Sequence, residues 1–158
     1  MQTSYHTKDN HVYQKVMIRI DNTPENIFPS LGTTKGIQKW FPELSFKGTE
    51  RMLFQLEKDV FEEMDILRYE NPNFIHFTWA DGEVEILLEA QEEGSQLVLN
   101  ERLPVSFEHA ARDFAGWQFK VKSIKDIAED REAPEMDEQQ FEAIQKEIEK
   151  NLNLYNKG

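Results

Sequence analysis

From Ser106 to Asp130 the chain carries one long amphipathic pattern, with apolar residues at Phe107, Ala111, Phe114, Trp117, Val121, Ile124 and Ala128. Steps of three and four line one side of a helix. A stripe this long and this aromatic needs a broad apolar partner, and the alternating segments upstream are the only candidate. A helix laid across a sheet encloses a space, and function is to be sought there.

Val12–Ile20 reads as a first strand, with Val16, Ile18 and Ile20 on one parity. Thr23-Pro24-Glu25 then caps a short helix carrying Ile27, Phe28 and Leu31. After Gly32, a second short helix carries Ile37, Trp40 and Phe41 and stops at Pro42. Strands follow at Arg51–Leu56, Phe61–Tyr69, Phe74–Trp79, Val84–Ala90 and Gln96–Leu103, with Asp81-Gly82 as a hairpin signal. Hairpin-connected strands with helices grouped apart imply an α+β architecture around an antiparallel sheet of six or seven strands. Beyond Pro134, Met136–Tyr155 reads as an extra helix whose thin stripe is Phe141, Ile144, Ile148, Leu152 and Tyr155.

Composition removes several function classes. The chain has no cysteine, which excludes disulfides, thiolate metal sites and Cys nucleophiles. Its net charge of −12 argues against nucleic acid, since phosphate binding needs clustered Lys and Arg. Half of that charge lies between Glu129 and Lys150, as expected of a solvated helix face. No window reaches the roughly 20 apolar residues of a membrane span, and Met1–Asn10 lacks a signal-peptide core. The expected location is cytoplasmic. His6, His11, His76 and His109 are scattered without metal-ligand spacing, so neither a metal nor another cofactor is expected. Among seven glycines there is no phosphate loop, and Ser106 and Ser123 lack a Gly-x-Ser-x-Gly setting.

Four features together resemble a known family: Thr23-Pro24-Glu25-Asn26-Ile27-Phe28 after the first strand, Lys39-Trp40-Phe41, Phe74-Ile75-His76-Phe77-Thr78-Trp79, and Gly116-Trp117. Their order is similar to the helix-grip fold of the START and birch-pollen-allergen superfamily (SRPBCC). Within it they resemble the branch named after the activator of heat-shock-protein-90 ATPase. The resemblance implies a curved antiparallel sheet wrapped around the long C-terminal helix, with an apolar cavity between them. It also implies hydrophobic small-molecule ligands, or a chaperone contact as in the eponymous protein, and no shared catalytic motif. The expected organisation is a flexible N-terminus over residues 1–11, the START-like domain over 12–130, and an additional helix over 134–156. That helix is expected to pack on the domain or to serve association, including a homodimer.

Trp40, Phe41, Phe54, Phe77, Trp79, Phe114 and Trp117 fall on inward parities or at element ends. Rings burying about 150–250 Å² each either line a ligand cavity or fill it. Glu101 continues the parity of Leu97 and Leu99, so its carboxylate is aimed at the same space unless it lies past the sheet's edge in solvent. Arg51 and Arg68 are candidates to pair with it, while His76 has the outward parity. The leading expectation is non-enzymatic binding of a lipid or polyketide-like molecule by the seven rings and Glu101. The alternatives are a protein-interaction, co-chaperone-like module and a small hydrolase or cyclase with Glu101 as base.

Overall fold

The computed structural model describes residues 1–154. Its strands are β1 (Gln2–Lys8), β2 (His11–Ile20), β3 (Leu44–Lys47), β4 (Arg51–Glu57), β5 (Val60–Glu70), β6 (Phe74–Trp79), β7 (Gly82–Ala90) and β8 (Ser95–Pro104). The helices are α1 (Pro24–Gly32), α2 (Thr34–Ile37), α3 (Ala110–Ala128) and α4 (Glu138–Asn151). All eight strands form one antiparallel sheet in the order β1-β2-β8-β7-β6-β5-β4-β3. The α+β architecture is the expected one.

The strand count exceeds the six or seven read from sequence. Gln2–Lys8, expected to be flexible, pairs with β2 along its whole length, from Gln2↔Met17 to Lys8↔His11. Its side chains are polar and nearly all exposed, so it carries no apolar alternation to detect. The four-residue β3 was likewise too short to register. At the β6–β7 hairpin Trp79 pairs with Gly82, so the turn is Ala80-Asp81, with Ala80 at φ 51°, rather than Asp81-Gly82. Gly82 is needed for another reason. A Cβ there would stand 1.8 Å from the Arg102 carbonyl oxygen, a contact no side chain survives.

The caps of the short helices follow the sequence. Thr23 Oγ1 accepts from the Asn26 amide, and Thr33 Oγ1 accepts from the Gly36 amide. The long helix starts four residues later than its apolar pattern, because the Val105 amide bonds back to Asn10 and the Phe107 amide to Pro104. From Ala110 it crosses the inward face of the sheet, burying Phe114, Trp117, Val121 and Ile124. That face is built from alternate residues, among them Val12, Val16 and Ile18 on β2 and Leu97, Leu99 and Leu103 on β8.

Asp137 caps α4 by accepting from the Gln139 and Gln140 amides. Its stripe packs against α3 and β2: Ile148 is fully buried, Phe141 and Ile144 lie beside it, and the Phe141 ring meets Phe119 at 5.8 Å. Of the two expected uses of this helix, packing on the domain or association, its apolar stripe makes the first, with Phe141 and Ile144 remaining partly exposed. Tyr155, the last position of the expected stripe, lies outside the described residues. Because Ile148 is fully buried, Ile148→Ala is expected to lower the unfolding free energy by about 2–4 kcal/mol. Urea denaturation measures this, and a loss below about 0.5 kcal/mol would mean that α4 is not part of the core.

Candidate functional site

Six of the seven candidate rings come together under α3. Trp79 and Trp117 have centroids 5.1 Å apart, and Phe41 lies 5.7 Å from both Phe54 and Trp79. Trp40 and Phe77 close the group at 6.2 and 6.3 Å from Trp117. Most of these contacts are edge-to-face or tilted, the arrangement favoured by ring quadrupoles. Five of the six are at most 8% exposed, while Phe54 is half-buried. These rings pack against one another between the sheet and α3. The Lys120 ammonium stands 4.2 Å over the Phe41 ring and donates to the Trp40 carbonyl. Burial lowers its pKa, with the Glu43 charge opposing. Phe114, the seventh ring, belongs to a different apolar cluster with Val12, Leu103, Ala111 and Ile148.

A polar belt separates the two clusters. Gln14, Glu101 and Gln118 are each 3% exposed or less. Gln118 Nε2 donates to Gln14 Oε1 at 2.8 Å and to the Tyr5 hydroxyl, and Gln14 Nε2 donates to the Phe114 carbonyl at 3.1 Å. Gln14 Nε2 also stands 3.5 Å from Glu101 Oε1. Trp79 Nε1 donates to the Asp113 carboxylate at 3.1 Å. Burial pushes the Glu101 carboxyl well above its ordinary range, and the Asp113 charge and hydrogen bond push it further. Burial and the Asp113 carboxylate both favour the protonated form of Glu101, while the hydrogen bond from Gln14 opposes it; its Oε2 is buried without a hydrogen-bond partner.

Glu101 is thus inward, as its parity implied, and not solvated beyond the sheet. It has no access to a substrate in this conformation, being 1% exposed. Arg51 and Arg68 do not reach it. They pair at the surface with Asp65 and Glu70. His76 lies on the outer face, 3.5 Å from Glu83. Among the described residues no cluster of His, Asp and Glu is arranged to hold a metal, and no helix is long and apolar enough to cross a membrane. Gln14, Gln118 and Asp113 escaped the sequence reading, although Gln14 shares the inward parity of Val12 and Val16.

The open space lies elsewhere. A groove of about 950 Å³ runs between the β8–α3 loop, the start of α3 and the end of α4. Val12, Val105, Phe107, Ala111, Leu152 and Leu154 give it apolar walls, and none of the six packed rings lines it. Arg112, His109, Glu108 and Glu149 also line it, with Thr7, Ser106, Gln145 and Asn153, so its walls are about as polar as they are apolar.

No protein-family model and no curated protein matches the sequence. Solved structures do. The conserved protein of unknown function EF2215 from Enterococcus faecalis superposes with TM-score 0.85 at 26% identity, over 98% of this chain and 93% of that one. CalU16 from Micromonospora echinospora gives 0.70 at 20% identity, over 97% and 94%. The Aha1 dimer from Colwellia psychrerythraea gives 0.61 at 18%, over 71% and 92%. The chain has the helix-grip fold. The first two likenesses run over nearly the whole chain, so they extend through the region of α4.

Two outcomes test this site. A Cβ on Gly116, inside α3, would meet no atom within 4 Å. Gly116→Ala is therefore expected to raise stability by about 0.5–1 kcal/mol, from helix propensity alone. A loss on denaturation would show that the space is needed. For Glu101, the folded pKa lies above its ordinary value of 4.5. Its contribution is complete below that value and is lost as pH rises through the folded pKa. Glu101→Gln, which cannot ionise, should match the wild type near pH 4 and become the more stable of the two as pH rises. Parallel stability–pH curves would contradict the buried proton.

Proposed function

We propose that this protein is a non-enzymatic binder of a small hydrophobic molecule, lipid or polyketide-like, held in the groove beside α4. The observation that carries this reading is the groove itself. Its volume of about 950 Å³ suits a drug-sized or lipid-sized ligand, and its walls mix apolar side chains such as Val105, Phe107 and Leu152 with polar ones such as His109, Arg112 and Glu149. The ring cluster takes a supporting role, anchoring α3 against the sheet, because its members already contact one another. This moves the ligand away from Trp40, Phe41, Phe54, Phe77, Trp79 and Trp117. Phe114 remains close, through its cluster with Val12 and Ala111. No catalytic role falls to Glu101 in this reading, since at 1% exposure its carboxyl cannot reach a substrate proton.

A protein-interaction role is the second reading, favoured by one observation. Leu56, Val60 and Phe61, at the β4–β5 hairpin, are 58%, 41% and 48% exposed, and Leu67 is exposed further along β5. A partner with an apolar face would cover them. Membership of the branch named after the heat-shock-protein-90 ATPase activator would fit this role.

Fluorescence displacement separates the two. An apolar dye bound by the protein should be displaced competitively by a fatty acid or polyketide-like compound. Val105→Trp, which fills the groove from its exposed wall, should weaken binding about tenfold, or 1.4 kcal/mol. Trp117→Phe should leave binding unchanged. If folded Val105→Trp binds the dye as the wild type does, the groove is not the site. If only a Leu56→Ser/Phe61→Ser double variant alters an association, the second reading stands instead.

A further inference from the structure

The end of α4 is closed by a turn that aims the chain at the groove. The Asn153 amide donates to the Lys150 carbonyl at 3.3 Å, and the Leu154 amide reaches back to the Glu149 carbonyl at 2.7 Å. Asn153 stands at φ 57°, so a single left-handed residue ends the helix and turns the chain off its axis. The same closure packs Leu154 against the apolar cluster that holds Ile148, Val12 and Ala111. Leu152, Asn153 and Leu154 all line the groove.

Leu154 is the last described residue, and Tyr155-Asn156-Lys157-Gly158 follow it in sequence. Successive Cα atoms are about 3.8 Å apart, so this segment sets out from the groove wall, and four residues reach at most about 14 Å from it. The chemistry of the segment matches that of the walls. Val105, Phe107 and Ala111 offer apolar contact, while Thr7, Ser106 and His109 offer hydrogen bonds. A tyrosine uses both, having an apolar ring and one polar tip. Glu108 and Glu149 set two carboxylates on the walls against the single guanidinium of Arg112, a balance that Lys157 opposes in sign.

We propose that residues 155–158 dock in the groove beside α4, with the Tyr155 ring against Val105, Phe107 and Ala111, and compete there with the ligand. The docking stands on the course of the chain; the competition rests on the ligand reading of the groove. A ligand displaces the segment as it binds, so its apparent affinity is lowered by the fraction of molecules whose groove is covered. The protein thereby sets a threshold on what it binds.

Amide NMR spectra of the full chain, compared with those of Tyr155→Ser and Tyr155→Phe in the absence of ligand, test the docking. The amides of Val105, Phe107 and Ala111 are expected to shift in Tyr155→Ser and to stay near their wild-type positions in Tyr155→Phe, which keeps the ring. Changes confined to residues 150–158 would overturn the docking. The apolar dye then reads the competition: Tyr155→Ser should bind it about tenfold more tightly than the wild type. Equal affinity, with dye binding still weakened by Val105→Trp, would overturn the competition. A dye indifferent to Val105→Trp would remove the ligand reading of the groove and the competition with it, while the spectra alone decide the docking.

Discussion

The antiparallel register between β2 and β8 sets Gln14 opposite Glu101, with Val12–Leu103 on one side and Val16–Leu99 on the other. Side chains alternate faces with a period of two, so a slip of one residue would turn this whole inward row to solvent. α3 meets the row with Phe114, Trp117, Gln118 and Val121, its polar residue facing the polar pair. The stacking of helix on sheet, the division of the core and the burial of Glu101 all follow from that alignment.

Three buried polar side chains across an apolar interior are costly unless each finds a partner. Here the glutamines bridge strand and helix, and burial beside Asp113 raises the pKa of the glutamate, favouring its neutral form. On one side of the belt the rings close the interior of the grip. On the other, α4 lies against α3 and leaves a groove that a single helix on this sheet would not enclose. The six rings thus pack against one another between sheet and long helix, and the groove of about 950 Å³ lies between α3 and α4.

Much of this was legible in the residues. The α3 stripe, the capping threonines and the alternation of β2, β6, β7 and β8 express periodicities that local sequence carries. The inward aim of Glu101 followed from the same parity. β1 was not legible, because its pairing partner, rather than its own side chains, makes it a strand. Nor was the start of α3, where backbone bonds from Val105 and Phe107 hold residues that the apolar spacing would have made helical.

The sequence alone determined which side chains face inward, because helix and strand periods are local properties of the chain. Tertiary structure decided whether those rings surround a void or touch one another, since that depends on distances between residues as far apart in sequence as Trp40 and Trp117. It also decided the direction in which the Glu101 pKa moves: burial and the Asp113 carboxylate, which raise it, act only after folding, as does the opposing Gln14 hydrogen bond.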